Sequence, residues 1–443
     1  MTSLRLLLLV AALLVSGGCL LNYSTSAPRQ YYVDSRTGSD DGPGTLEKPW
    51  RTLIPVNTKV FHPGDSIRFA GGCEFEGGFE VRQSGSAKAP IIFGVYGPGP
   101  APHFSNPRLS EWHGNAIRVD ASYIVIDGLA FSRCPANPVA ENVKKMGAIF
   151  ITSNATHDIV RNCEMWETPI GVTVYGRHNL ITRNYIHDNN QPIQPHWGPM
   201  GVVIASSHNE VSYNRFLNYC APSAEYGHDG GAIEINDRKL PKQDIHIHHN
   251  LSLRNQGFIE FVGQVKQDHL LIDHNVCMDY QSFLGLTGPC SNFRVEHNTV
   301  VRTLAHAEPD SEDVVFWLYE NGNTNIDFRN NIFVYDPSRV EPIFARGLPG
   351  HSFNLYYRCD EAALPRQANR EAYERKYLGG GAALGSGDRI GDPLFRDIKK
   401  EDFRLTAGSP AIGAGTNLGY KLDFDDRPIP SGKPPDMGAF QYN

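Results

Sequence analysis

IHIHHNLSLRNQGFIEF, residues 245–261, holds one unit of a pattern that runs through most of the chain. Ile247 stands three residues before Asn250, and a Gly-opened segment with alternating apolar residues, GFIEF, follows. The first half recurs at the same offset in DIVRNCEM, LITRNYIH, EVSYNRFL, LLIDHNVCM, FRVEHNTVV and DFRNNIFV. These align Asn162, Asn184, Asn214, Asn250, Asn275, Asn298 and Asn331, with gaps of 22, 30, 36, 25, 23 and 33 residues. The second half recurs as GAIFI (147–151), GVTVY (171–175), GVVIA (201–205), GAIEI (231–235) and SFLGL (282–286). Alternation over four or five residues marks strands with one buried face. A unit of about 22 residues holding two or three such strands, turned at Asn and Gly, is one coil of a parallel β-helix. The repeated Asn suits a turn where a side-chain amide bonds backbone and the same residue of the next coil.

The ends of the chain carry a resemblance. YYVDSRTGSDDGPGTLEKPWRTL, PGDSIRFAGG and APIIFGVYGPG near the start, with DPLFRDIKKEDFRLTAGSPAIGAGT and PPDMGAFQYN at the end, resemble secreted bacterial right-handed β-helix proteins of the pectate-lyase-like superfamily. Together with the coils, the resemblance covers nearly all of residues 30–443. It implies an all-β right-handed parallel β-helix and a carbohydrate-active protein, among lyases, hydrolases and epimerases. Within this single domain, residues 30–105 are expected to form an N-terminal cap and 337–443 a C-terminal excursion and closing segment. CDEAALPRQANREAYERKY (359–377) is the helical stretch of that excursion.

Lys+Arg 41 against Asp+Glu 48, interspersed, gives no support to nucleic-acid binding. MTSLRLLLLVAALLVSGGC has one Arg, an apolar run from Leu6 to Val15 and small residues ending at Cys19, the layout of an export signal. Small residues directly before Cys19 resemble a bacterial lipoprotein signal, which implies lipidation at Cys19. The protein is therefore expected to be exported, to meet the membrane only through an N-terminal lipid, and to follow that lipid with a tether over residues 20–29. Cys73, Cys134, Cys163, Cys220, Cys277, Cys290 and Cys359 follow without CxxC spacing, so buried thiols are expected rather than zinc ligands or a disulfide framework.

Alternation also orients the acids. With Ile233 and Ile235 turned inward, Glu234 points outward, and Glu260 does so one coil later between Ile259 and Phe261. The same register predicts a surface column of Arg118, Phe150, Thr173, Val203, Glu234, Glu260, Gly285 and Trp317. Two carboxylates stacked at roughly 4.8 Å repel unless a proton, a cation or splaying intervenes. A shared proton is what a glycosidase uses, and retaining enzymes separate their carboxyls by about 5–5.5 Å.

Gaps of 30 and 36 residues lead to and through the Glu234 coil, and their insertions, HDNNQPIQPHWGP (187–199), NYCAPSAEYGHDG (218–230) and NDRKLPKQD (236–244), are expected to wall a cleft. Asp229, Glu234 and Glu260 are the candidate catalytic residues. His196, Trp197, Tyr226, His228, Lys239, Arg254 and Trp317 are the candidate sugar-binding residues, the aromatics by ring stacking. Hydrolysis of a polysaccharide or oligosaccharide by a monomeric enzyme is the leading reading and requires no cofactor. The alternative is a uronate lyase using Ca²⁺ held by Asp229, Glu234, Asp237 and Glu260, with Lys239, Lys242, Arg254 or Lys266 as base. A third is a non-catalytic glycan-binding surface protein. His246, His248 and His249 are read as lying away from the Glu column, not as a metal site.

Overall fold

The computed structural model describes residues 27–107, 114–135, 146–193, 197–236, 240–263, 265–306, 314–318, 322–360 and 370–442. Its three long sheets have 12, 12 and 9 strands, and within each every neighbour is a strand of the adjacent coil. One coil runs Ile170–Val174, Leu180–Thr182, Tyr185–Asn189; each strand pairs in parallel with Met200–Ile204, Glu210–Ser212 and Arg215–Tyr219 of the next. The expected solenoid is therefore present. Short β-branched segments suit it, because inward side chains stack on the same residue class one coil away. Ile149, Val172, Val202, Ile233, Ile259, Leu284 and Phe316 form one such inward file, in continuous register and all buried. At about 1.5–3 kcal/mol per buried large apolar side chain, files of this kind dominate the stability of the coil.

The repeated asparagines form a ladder. Each main-chain N–H in the series donates to the side-chain oxygen of the next coil's Asn: Asn184 to Asn214, Asn214 to Asn250, Asn250 to Asn275, Asn275 to Asn298 and Asn298 to Asn331, at 2.9–3.0 Å. Each amide nitrogen bonds onward in turn, and Asn354 extends the run to end on Asp388. The residue before each rung has positive φ: Arg183, Tyr213, His249, His274, His297, Asn330 and Phe353, between 49° and 57°. A single left-handed residue bends the chain sharply, and the ladder offsets its steric cost of roughly 1–2 kcal/mol.

Asn162 departs from the expectation. It is itself the left-handed residue, with φ 53°, and Cys163 occupies the rung, its N–H donating to Asn184 Oδ1 at 3.0 Å. An Asn tolerates αL almost as readily as it forms a rung, so one unit of the repeat reads one residue out of register.

The region expected as an N-terminal cap already belongs to the solenoid, since Gln30–Val33, Ser66–Ala70 and Ile91–Tyr96 begin the same sheet. The helix of the C-terminal excursion spans Arg370–Leu378, with Tyr377 and Leu378 buried in the main core, so it plugs the end of the coil. The closing segment lies along the flank. Phe403, Leu405, Met437 and Phe440 pack on Leu217, Leu253, Val276, Val301 and Ile332 of one sheet's outer face. The seven cysteines among the described residues are free, five of them buried; Cys220 is half-buried and Cys359 exposed.

Candidate active site

All eight members of the predicted outward column are in register. Arg118, Phe150, Thr173, Val203, Glu234, Glu260, Gly285 and Trp317 are successive parallel-pair partners. Ile233, Ile235, Ile259 and Phe261 are buried in the core, which turns Glu234 and Glu260 outward. Glu234 is nonetheless only 4% exposed, while Glu260 is half-buried. Asn236, two residues along on the same face, donates its amide to Glu234 Oε1. The pair is thus not a solvated surface feature: enclosure strengthens the interaction between the two carboxyls.

Both glutamates border a recess of about 330 Å³ including its open mouth, together with Asp229, Met200, Gln281 and Ser282. The walls follow from the insertions. Residues Ala221–Ser223 and Gly227–Asp229 form an antiparallel hairpin, at whose end Asp229 accepts the Gly198 N–H on Oδ2 at 2.9 Å and the Gly230 N–H on Oδ1 at 2.7 Å. A β-carbon on residue 198 would lie 2.0 Å from the Asp229 carbonyl carbon, so only glycine permits this contact. Asp229, read from sequence as catalytic, therefore ties the 187–199 insertion to the hairpin and borders the recess while doing so.

His228 lies next to Asp229, but its ring stacks on His306 at 3.6 Å, which in turn stacks on Tyr280 at 4.2 Å. His306 Nε2 donates to Gln256 Oε1 at 2.8 Å. Trp197 and Tyr226 are exposed, at 37% and 39%, one beside Gly198 and the other at the hairpin tip. Trp317 is buried at 6%, its indole laid over Gly285, where a β-carbon would meet Nε1 at 1.7 Å. Arg254 is not brought to the recess: it bonds Asn218 at 3.0 Å and pairs with Glu401 of the closing segment. His196, Asp237, Lys239 and Cys19 lie outside the described residues.

Gln256, Gln281, Ser282, Tyr280 and His306 were missed from sequence. Their signal was legible in part, since QGFIEF and QSFLGL align Gln256 with Gln281, and the Gln281 N–H donates to the Gln256 carbonyl. His306 sits in an insertion, where no register carries over. The histidines of 245–250 lie as read, away from the glutamates: His246 bonds Asp273 at 2.5 Å and His248 bonds Glu210 at 3.1 Å. His249, Asp273 and His274 bring ligand-type atoms within 4.8 Å of one another. The two rings stack at 17°, however, and ring nitrogens are already engaged, His249 Nε2 with the Asp423 carbonyl at 3.1 Å and His274 Nδ1 with Asp273 at 2.7 Å.

Residues 76–250 match the family model described as a right handed beta helix region. No curated protein matches the chain. Among solved structures, pectate lyase Pel9A aligns with TM-score 0.60 and 16% identity over 94% of this chain and 97% of that one. A rhamnogalacturonan lyase aligns with TM-score 0.54 and 15% identity over 78% and 92%, and XylC in complex with xylose with 0.55 and 11% over 94% and 98%. At such identities the likeness is one of fold. Parallel sheets with one strand per coil, the match over 76–250 and these neighbours together make the chain a right-handed parallel β-helix protein, a fold it shares with the pectate lyase and the rhamnogalacturonan lyase.

Proposed function

We propose that this protein cleaves glycosidic bonds by hydrolysis, with Glu234 and Glu260 as the reacting pair. The observation that carries this reading is the enclosed Glu234 held in direct register with Glu260 on the floor of a walled recess. In such a pair one carboxyl protonates the departing glycosidic oxygen while the other attacks the anomeric carbon. Water then releases the sugar, with the first group now acting as base. The spacing of adjacent coils, roughly 4.8 Å, favours this retaining arrangement over one that must admit a water between the carboxyls.

A calcium-dependent lyase is the second reading, favoured by the three carboxylates bordering one recess. Asp229, Glu234 and Glu260 would hold the cation, an oxygen-only donor set of the kind calcium takes. When bound, the ion would neutralise a uronate carboxylate. The base is the weaker part of this reading. Arg254 pairs with Glu401, Lys266 lies 4.0 Å from Asp268, and buried Lys242 donates to the Leu240 carbonyl.

Neutral and acidic polysaccharides assayed for new reducing ends and for ultraviolet-absorbing unsaturated products, with and without EDTA, decide between them. Saturated products insensitive to EDTA support hydrolysis. Unsaturated products that vanish with EDTA transfer the assignment to the lyase, and binding without cleavage transfers it to a glycan-binding protein. The N-terminal leader supports export with a lipid on Cys19. Labelled palmitate should then enter the protein and fail to enter Cys19→Ala.

A further inference from the structure

We infer that the recess is a blind pocket taking the terminal one or two sugar residues of a glycan, so that cleavage proceeds from chain ends. This rests on the reading of Glu234 and Glu260 as the cleaving pair. A cleft for internal cleavage must let the chain leave on both sides of the broken bond, along the column or across it.

Along the column both exits are filled. On one side of Glu234 the next outward residue, Val203, is 7% exposed and packs with Ile193, Met146, Ile170 and Met200. Ile193 comes from the 187–199 insertion, which is held down where Asp229 accepts the Gly198 N–H. On the other side of Glu260, the Trp317 indole fills the space above Gly285. What stays open between them is two coils wide, about 10 Å from strand spacing, and a pyranose residue in a chain takes up about one such spacing.

Across the column, the side on which the strands begin is also closed. Asp229, Gly230 and Gly231 border it from the hairpin, and Gln281 and Ser282 from the following coils. The stacked rings of His228, His306 and Tyr280 stand next to them, joined through Gln256 to the chain that enters the Glu260 strand. Three sides of the recess are therefore protein. The space they border, about 330 Å³, includes the open mouth on the remaining side.

The test uses oligosaccharides of graded length, labelled at the reducing end, from xylan, arabinan, galactan and homogalacturonan. For whichever series is cut, the first products should be shorter by one or two residues. Mid-length fragments from the earliest time points overturn the pocket while leaving the cleavage reading intact. Ile193→Gly and Trp317→Ala, each opening one end of the column, should raise the share of internal cleavage. If no series is cut, the cleavage reading fails and the pocket is judged by binding. Calorimetric titration of the same series into Glu260→Gln should give an affinity that stops rising after two residues. A tenfold or greater gain at longer lengths, or no binding at any length, overturns the proposal.

Discussion

Trp317 lies over Gly285 so closely that a β-carbon at residue 285 would sit 1.7 Å from the indole Nε1. The two are register partners in adjacent coils, and Gly285 is in turn the partner of Glu260. The glycine therefore leaves the room that the indole fills, one coil beyond Glu260.

Gly285→Ala should displace Trp317 while leaving the inward file of Leu284 and Leu286 in place. The expected result is a red shift of tryptophan emission with unchanged far-ultraviolet circular dichroism, and a larger share of mid-length products from any glycan the protein cuts. An unshifted spectrum would show that the indole is held by something other than the space above residue 285.

Glu234→Gln and Glu260→Gln should each lower kcat by about 10²–10⁴-fold with little change in folding. Because the two groups act as one unit, the double variant should be no slower than the worse single one. Full activity in either single variant removes that residue from the mechanism.

Acid should weaken the turn beneath the closing segment. Burial, aided by the neighbouring imidazoles, lowers His249 to about 4, and burial lowers His297 to about 3, from 6.5. His297 Nδ1 faces the Gly438 carbonyl and Nε2 faces the Asn330 amide, so the neutral ring satisfies one donor and one acceptor. A folded-state value below the unfolded one means that the unfolded chain binds more protons, so stability is complete above 6.5 and falls as pH drops toward 4 and then 3. His297→Asn keeps a residue type that already takes positive φ at Asn330. Its melting temperature should depend less on pH across this window; an identical pH profile would mean the imidazole does not carry the effect.

Asp158 predicts the opposite slope. Burial pushes its carboxyl up to about 8; Oδ1 accepts the Ile124 N–H at 2.9 Å, and Oδ2 is buried without a hydrogen-bond partner among the described residues. It stands in a second side-chain ladder with Asn179 and Asn209, where a protonated acid substitutes for an amide. Its contribution is complete below 3.8 and is lost as pH rises through about 8. Asp158→Asn should therefore match the parent in acid and exceed it in denaturant stability at neutral pH. The gap should widen by no more than about 1.4 kcal/mol per pH unit.

Asn275→Ala, in mid-ladder, strands the Asn250 N–H, which donates to Asn275 Oδ1, and the Ile247 carbonyl, which accepts from Asn275 Nδ2. Each unsatisfied buried group costs about 1–3 kcal/mol, so a loss of at least about 2 kcal/mol is expected in urea unfolding. An exposed control such as Asn154→Ala should change little.

Repetition made the solenoid readable before any coordinates. An offset from Ile247 to Asn250, met again in unit after unit, reports a contact that each coil makes with the next, and a period-two strand leaves only one choice of face. That is why Glu234, Glu260, Gly285 and Trp317 fell in one column from residue order alone. The same logic slipped at Asn162, where two adjacent positions of one turn both accept asparagine.

The walls were another matter. Insertions follow no register, so nothing local in His228 announces His306, and nothing in Asp229 announces Gly198, thirty-one residues earlier. Arg254 is a candidate sugar ligand by sequence, yet Glu401, 147 residues later, claims it. Local alternation determined which side chains face outward. Burial of Glu234, and the closing of the space around it, depended on long-range packing that no periodicity encodes.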